Sequence, residues 1–178
     1  ASYVETLDES ALLRYTHFQH KLITEAAELY GGEVSVARQF GALISFTGDH
    51  KSGAAVLRAV CTAWVIRALA QSLEAHTQRK HKLSLCCGTN EAGSDRSGDF
   101  YSALYSQHII DEMEQQVLQF PDEITVCEVA AQDQALANTT FLEQDPSGRA
   151  YLTGFPAPTD NLVERQHHLL LARLKQTA

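Results

Sequence analysis

His17 and His20, three residues apart and followed by Glu25, are the first side chains along the chain that could do chemistry, because on a helix they share a face and could hold a metal ion. A pair at this spacing with no third close ligand is ordinary surface chemistry, and no metal site is assigned to it. Gly48-Asp49-His50-Lys51-Ser52-Gly53 precedes an apolar segment, a setting in which backbone N–H groups at a helix start attract anions. The order G-x-x-x-x-G-K-[ST] that a phosphate loop needs is absent, so the stretch reads as a plain loop with a helix start. Cys86 and Cys87 point to opposite faces if they lie on a strand and cannot jointly grip one ion. His167 and His168, adjacent on a helix, also face different directions. There is no Gly-x-Ser-x-Gly elbow, His-Glu-x-x-His helix, dinucleotide fingerprint or zinc knuckle. The expectation is therefore no catalytic set, no metal ligands and no cofactor.

The elements that would position any such site are legible from periodicity. Asp8-Glu9-Ser10 supplies acids and a cap at the start of a helix on which Leu12, Tyr15, Phe18, Leu22, Ala26 and Leu29 recur at steps of three and four. Gly31-Gly32 ends it. Residues 54–76 predict a long helix with a broad apolar stripe. Leu83, Leu85 and Cys87 alternate with Lys82, Ser84 and Cys86 as a half-buried strand does. A Gly-, Ser-, Asn- and Asp-rich loop over 88–99 leads into a helix within 100–120, stopped by Pro121. A short strand at 124–126, a short helix at 128–136 and a hairpin turning on Asp145-Pro146-Ser147-Gly148 follow, and a helix over 161–175 closes the chain.

Between the first two helices, Gly31 to Phe46 reads GGEVSVARQFGALISF, a two-strand pattern. Val34 and Val36 alternate with polar neighbours, Arg38-Gln39-Phe40-Gly41 supplies a turn, and Ala42 to Phe46 is an apolar return strand. This segment resembles the second and third strands of the class III nucleotidyl cyclase homology domain. There the usual form is Gly-Gly, a few β residues, Lys, two residues, Gly-Asp-Gly and an apolar strand ending in Phe. Gly31 and Gly32 match the glycine pair, Gly41 the last turn glycine and Phe46 the closing Phe. The departures fall on the chemistry: Val36 stands where the family has its purine-reading Lys, Gln39 where it has a turn Gly, and Phe40 where it has a metal-binding Asp. A phenyl ring cannot coordinate Mg²⁺, which needs hard oxygen ligands in near-octahedral geometry.

The order of predicted elements matches that of the cyclase homology domain from its first helix onward, so the resemblance covers most of the chain. In the family the first strand carries the other metal Asp; here the short stretch Ser2 to Thr6 is its only candidate. The family also uses an Asn and an Arg four residues apart on the helix after the fourth strand, and FYSALYSQHIIDEM, Phe100 to Met113, contains neither. The resemblance implies one domain over 1–178, an α+β fold with a ferredoxin-like, mainly antiparallel sheet and helices packed on it. With three parts of the active site replaced, it implies a degenerate, non-catalytic regulatory or protein-interaction module. Val36, Gln39 and Phe40 then mark a former cleft reused as an interface. The alternatives are a pseudoenzyme that binds a nucleotide or another small ligand without turnover, and an active cyclase with relocated residues.

Bulk properties bound the partners. A formal charge of −8 and a pI near 5.4, with no basic run, argue against nucleic acid. Family members pair head to tail, which implies a homodimer or another protein partner. Four cysteines with neither C-x-x-C spacing nor the density of a disulfide-stapled domain fit a reducing compartment. The longest apolar candidate for a membrane span, Ala63 to Leu69, is cut by Arg67. Membrane association is thus expected only through a segment outside this chain, giving a cytoplasmic domain of an inner-membrane protein.

Overall fold

The Gly31-Gly32 pair explains itself in the computed structural model, which describes residues 8–36, 41–48, 51, 53–77, 84–89, 99–120 and 122–176. Helix α1 (Glu9–Leu29) begins at Asp8, whose carboxylate accepts a hydrogen bond from Ala11 N at 2.7 Å. It ends in a Schellman turn: Gly32 N donates to Ala27 O at 2.8 Å and Gly31 N to Glu28 O at 3.1 Å. Gly31 takes φ +70°, the left-handed conformation that glycine adopts without a steric cost. Gly32 serves a different need. A Cβ there would lie 2.7 Å from both Ile44 Cγ2 and Phe46 Cε1, so only a bare backbone lets the return strand close over the helix end.

The chain divides into two compact units. Unit 1 comprises Ala1–His81 with Leu162–Ala178, and unit 2 comprises Lys82–Asn161. In unit 1, β1 (Glu33–Val36) pairs antiparallel with β2 (Ala42–Ser45), Val34 opposite Ile44, as a sheet of two strands. Helix α2 (Ala55–Thr77) is buried on almost every side: Val56, Val60, Cys61, Val65, Ile66, Leu69 and Leu73 are all inside, with Leu57 and Trp64 half-buried. Helices α1 and α6 (Thr159–Gln176) flank it with Leu22, Ala26, Ala27, Val163, Leu170 and Leu174. Ser72 meets His167 at 3.0 Å, and Tyr30 donates a hydrogen bond to Gln166. By length and composition, Ala55–Glu74 could cross a membrane (mean hydropathy 1.3), but 61% of it is buried within the protein, as in a core helix.

Unit 2 is built on a sheet of order β3-β4-β6-β5, namely β3 (Leu85–Cys87), β4 (Ile124–Val126), β6 (Ala150–Gly154) and β5 (Phe141–Gln144). The β3–β4 ladder is parallel and the other two are antiparallel. Parallel neighbours need a long crossover, which α3 (Asp99–Gln119) provides. Gly88 lets that helix approach: a Cβ there would be 2.9 Å from Met113 Sδ. The single short helix expected over 128–136 is two helical turns, α4 (Glu128–Ala131) and α5 (Gln134–Ala137). Asp133, extended at φ −64° and ψ 130°, breaks the run and caps the second turn through Ala135 N. The mixed α+β class expected from the sequence holds. Its strands are distributed over two small sheets, one of them mixed.

Candidate functional site

Arg58, on the first turns of α2, organises the region that the sequence singled out. Its side chain is 1% exposed and, among the described residues, meets no carboxylate; it donates to five backbone carbonyls. Nε reaches Gly53 O at 3.0 Å, one terminal nitrogen reaches Tyr30 O (3.1 Å) and Gly31 O (3.4 Å), and the other reaches Thr47 O (3.0 Å) and Gly48 O (2.7 Å). The guanidinium lies 5.7 Å from the centre of the Phe46 ring. A planar fork with five N–H donors is the one side chain that can serve this many acceptors at once.

This arrangement sets the direction of the carbonyls at the two ends of the glycine-flanked stretch. Gly48 and Gly53 have φ +63° and +103°, and each turns a carbonyl inward onto Arg58. A phosphate loop does the opposite, presenting N–H groups to an anion. Here the inward-facing groups are acceptors, and a buried cation from the protein itself already satisfies them. The plain-loop reading of 48–53 is therefore the one the described residues 48, 51 and 53 fit.

The other sequence-singled residues are scattered. Val36 ends β1, paired with Ala42. Gln39 and Phe40 lie outside the described residues, as does the Ser2 to Thr6 candidate strand. His17 and His20 are both exposed on α1, and no group of three His, Cys, Asp or Glu side chains converges on a possible metal position among the described residues. Cys87 is buried and Cys86 half-buried, on opposite faces of β3 as alternation requires. In the last helix, burial and the neighbouring His168 hold the His167 imidazole below its usual pKa of 6.5, outweighing a backbone hydrogen bond at Ala68 and the charge of Glu164.

Two groupings escaped the sequence. The first is the Arg58 cluster, whose partners are backbone atoms and so leave no residue signature. The second is in unit 2, where Cys86 Sγ lies 3.7 Å from Cys127 Sγ although 41 residues separate them. Gln116 of α3 joins them: its Oε1 is 3.6 Å from Cys86 Sγ, and its Nε2 donates to Cys127 Sγ at 3.8 Å and to Glu112 Oε1 at 3.3 Å. The sequence held little signal for this: Cys86 is on β3 while Cys127 follows the end of β4 as the N-cap of α4, and the pairing of β3 with β4 is needed to bring them together. No protein-family model and no curated protein matches the sequence.

Proposed function

We propose that this chain is a non-catalytic regulatory or protein-interaction module built on a degenerate nucleotidyl cyclase fold, acting by self-association or partner capture as the cytoplasmic part of a membrane-tethered signalling protein. The observation that carries the contact reading is the set of apolar side chains left on the surface of unit 1. Leu13 is 66% exposed, and Leu162 and Leu169, two helical turns apart on α6, are 47% and 46% exposed. Leu162 and Leu169, at a spacing of seven, share one face of α6, and apolar side chains exposed together on one face support an interaction surface. The substitution of Val36, Gln39 and Phe40 for the family's Lys, Gly and Asp supports the loss of turnover. Arg58 also holds the carbonyls of Thr47, Gly48 and Gly53 turned inward, an arrangement of acceptors unlike the N–H groups with which a phosphate loop meets its anion.

Equilibrium sedimentation tests it. The expected result is a reversible dimer, weakened by Phe40→Asp and by Leu162→Glu/Leu169→Glu. A monomer at all concentrations, with partner capture unchanged in the same variants, removes the basis of the reading. Calorimetry with ATP, GTP and cyclic nucleotides, with and without Mg²⁺ or Mn²⁺, separates it from a nucleotide-holding pseudoenzyme, for which saturable binding is required.

A further inference from the structure

We propose that Cys86 and Cys127 form an oxidisable pair, converted by a hydroperoxide into an intramolecular disulfide that ties β3 to the start of α4. The topology brings them together. Cys86 sits opposite Thr125 in the parallel β3–β4 ladder, and Cys127 follows Thr125 by two residues, so the two thiols project from the same face. Cys127 N donates to Cys87 O at 2.8 Å, which holds the two backbones together just past the strand ends. The sulfurs are 3.7 Å apart, in van der Waals contact. Against a bond length of about 2.05 Å, about 1.7 Å of approach remains.

The surroundings assign an order to the two thiols. Cys86 is half-buried and Cys127 buried, so Cys86 is the sulfur that an oxidant reaches first. The hydrogen bond with Cys86, then burial, then the charges of Cys86 and Glu112 hold the Cys127 thiol far above its ordinary pKa, which suits a resolving sulfur better than an initial nucleophile. Cys86 gives up its proton as its sulfur attacks the peroxide oxygen, the O–O bond breaks, and the departing oxygen takes up that proton, leaving a sulfenic acid and an alcohol, or water when the oxidant is hydrogen peroxide. Cys127 sulfur then attacks Cys86 sulfur, the S–O bond breaks, and the departing hydroxide takes up the proton that Cys127 gives to the Glu112 carboxylate. In sum, two thiols and one hydroperoxide give one disulfide, one alcohol and one water. Both cysteines are free in the structure, and in a reducing compartment a disulfide between them would be transient and redox-sensing.

Cys61 and Cys87 serve as internal controls: Cys61 belongs to unit 1, and Cys87 points to the other face of β3. The whole chain is treated with stoichiometric hydrogen peroxide, alkylated, digested and mapped by mass spectrometry, with a 1,3-diketone added in parallel to trap sulfenic acid. The expected result is loss of two of the four thiols, one peptide pair joining residues 86 and 127 within a monomer, and recovery with dithiothreitol. In Cys127→Ser the diketone should label Cys86 at least about tenfold more than in the wild type, because nothing resolves the sulfenic acid. Cys61→Ser should behave as wild type, which guards against a loss caused by misfolding alone. Equal oxidation of Cys61 or Cys87, a cross-link between molecules, or sulfenic acid at Cys86 with the same yield in wild type and Cys127→Ser overturns the proposal.

Discussion

Removing the donors of Arg58 while keeping its bulk should unfold unit 1 at markedly lower denaturant, and Arg58→Met is the substitution that does this. Of the five carbonyls, Tyr30 O receives the fully buried bond; leaving it without a partner costs about 1–3 kcal/mol. The other four bonds are only partly buried, and because water can replace the donor, each counts for about 0.5 kcal/mol. Relief from holding a guanidinium out of water offsets part of this total. A net loss of about 3 kcal/mol is the expected balance, which lowers a urea midpoint by about 1.5 M. Arg58→Lys isolates geometry from charge, since an ammonium keeps the positive charge but has three donors on a point instead of five on a fork; it should lose about 2 kcal/mol. Trp64, the only tryptophan, lies on α2 in unit 1, so its fluorescence follows this unit during unfolding. If Arg58→Lys matches wild type, charge alone is enough and the fork argument fails. If Arg58→Met also falls within about 0.5 kcal/mol of wild type, an effect typical of unconstrained surface positions, the carbonyl cluster is not a keystone.

Gly32→Ala should cost about 1–3 kcal/mol by the same fluorescence assay, because the new Cβ meets Ile44 and Phe46 at 2.7 Å and the return strand must shift. Asp8→Ala should cost about 1 kcal/mol through loss of the Ala11 N–H acceptor, measurable as reduced helicity and a lower unfolding midpoint. For His167 the folded pKa is depressed, chiefly by burial, so the unfolded chain takes up the proton first. Its contribution is therefore intact above about pH 6.5 and is lost as pH falls through the folded value. His167→Gln should flatten the pH dependence of thermal stability in that window, and an unchanged profile would count against the assignment.

What the sequence disclosed, and what it did not, divides along physical lines. The six longer features were legible: Asp8 at a helix start, the glycine stop, the long apolar run of α2, both hairpins and the closing helix each carry a period or a turn chemistry written in consecutive residues. Strand order was not. The segments 85–87 and 124–126 have three residues each, too few for alternation to specify a partner, and their parallel pairing depends on how α3 crosses between them. The break at Asp133 was missed because the residues on either side are good helix formers, and the tertiary structure uses the Asp as a cap instead. Nothing in the sequence marked Arg58 as a buried residue. Its burial became understandable only when the turns at 30–31, 47–48 and 53 came within reach of one guanidinium.

That convergence also explains why the β1–β2 hairpin persists. A two-stranded sheet is marginal by itself in water, so β1 and β2 owe their persistence to their base, where Gly32 admits Ile44 and Phe46 and where Arg58 binds the carbonyls that precede β1 and follow β2. Val36 pairs with Ala42 at the far end of the ladder, away from this cluster. On the proposed contact reading, Phe40→Asp should alter association while leaving the Trp64 unfolding curve within about 0.5 kcal/mol of wild type. A Phe40→Asp variant that loses both association and stability would mean that the ring is part of the core, and Phe40 could not then be read as a contact residue for a partner.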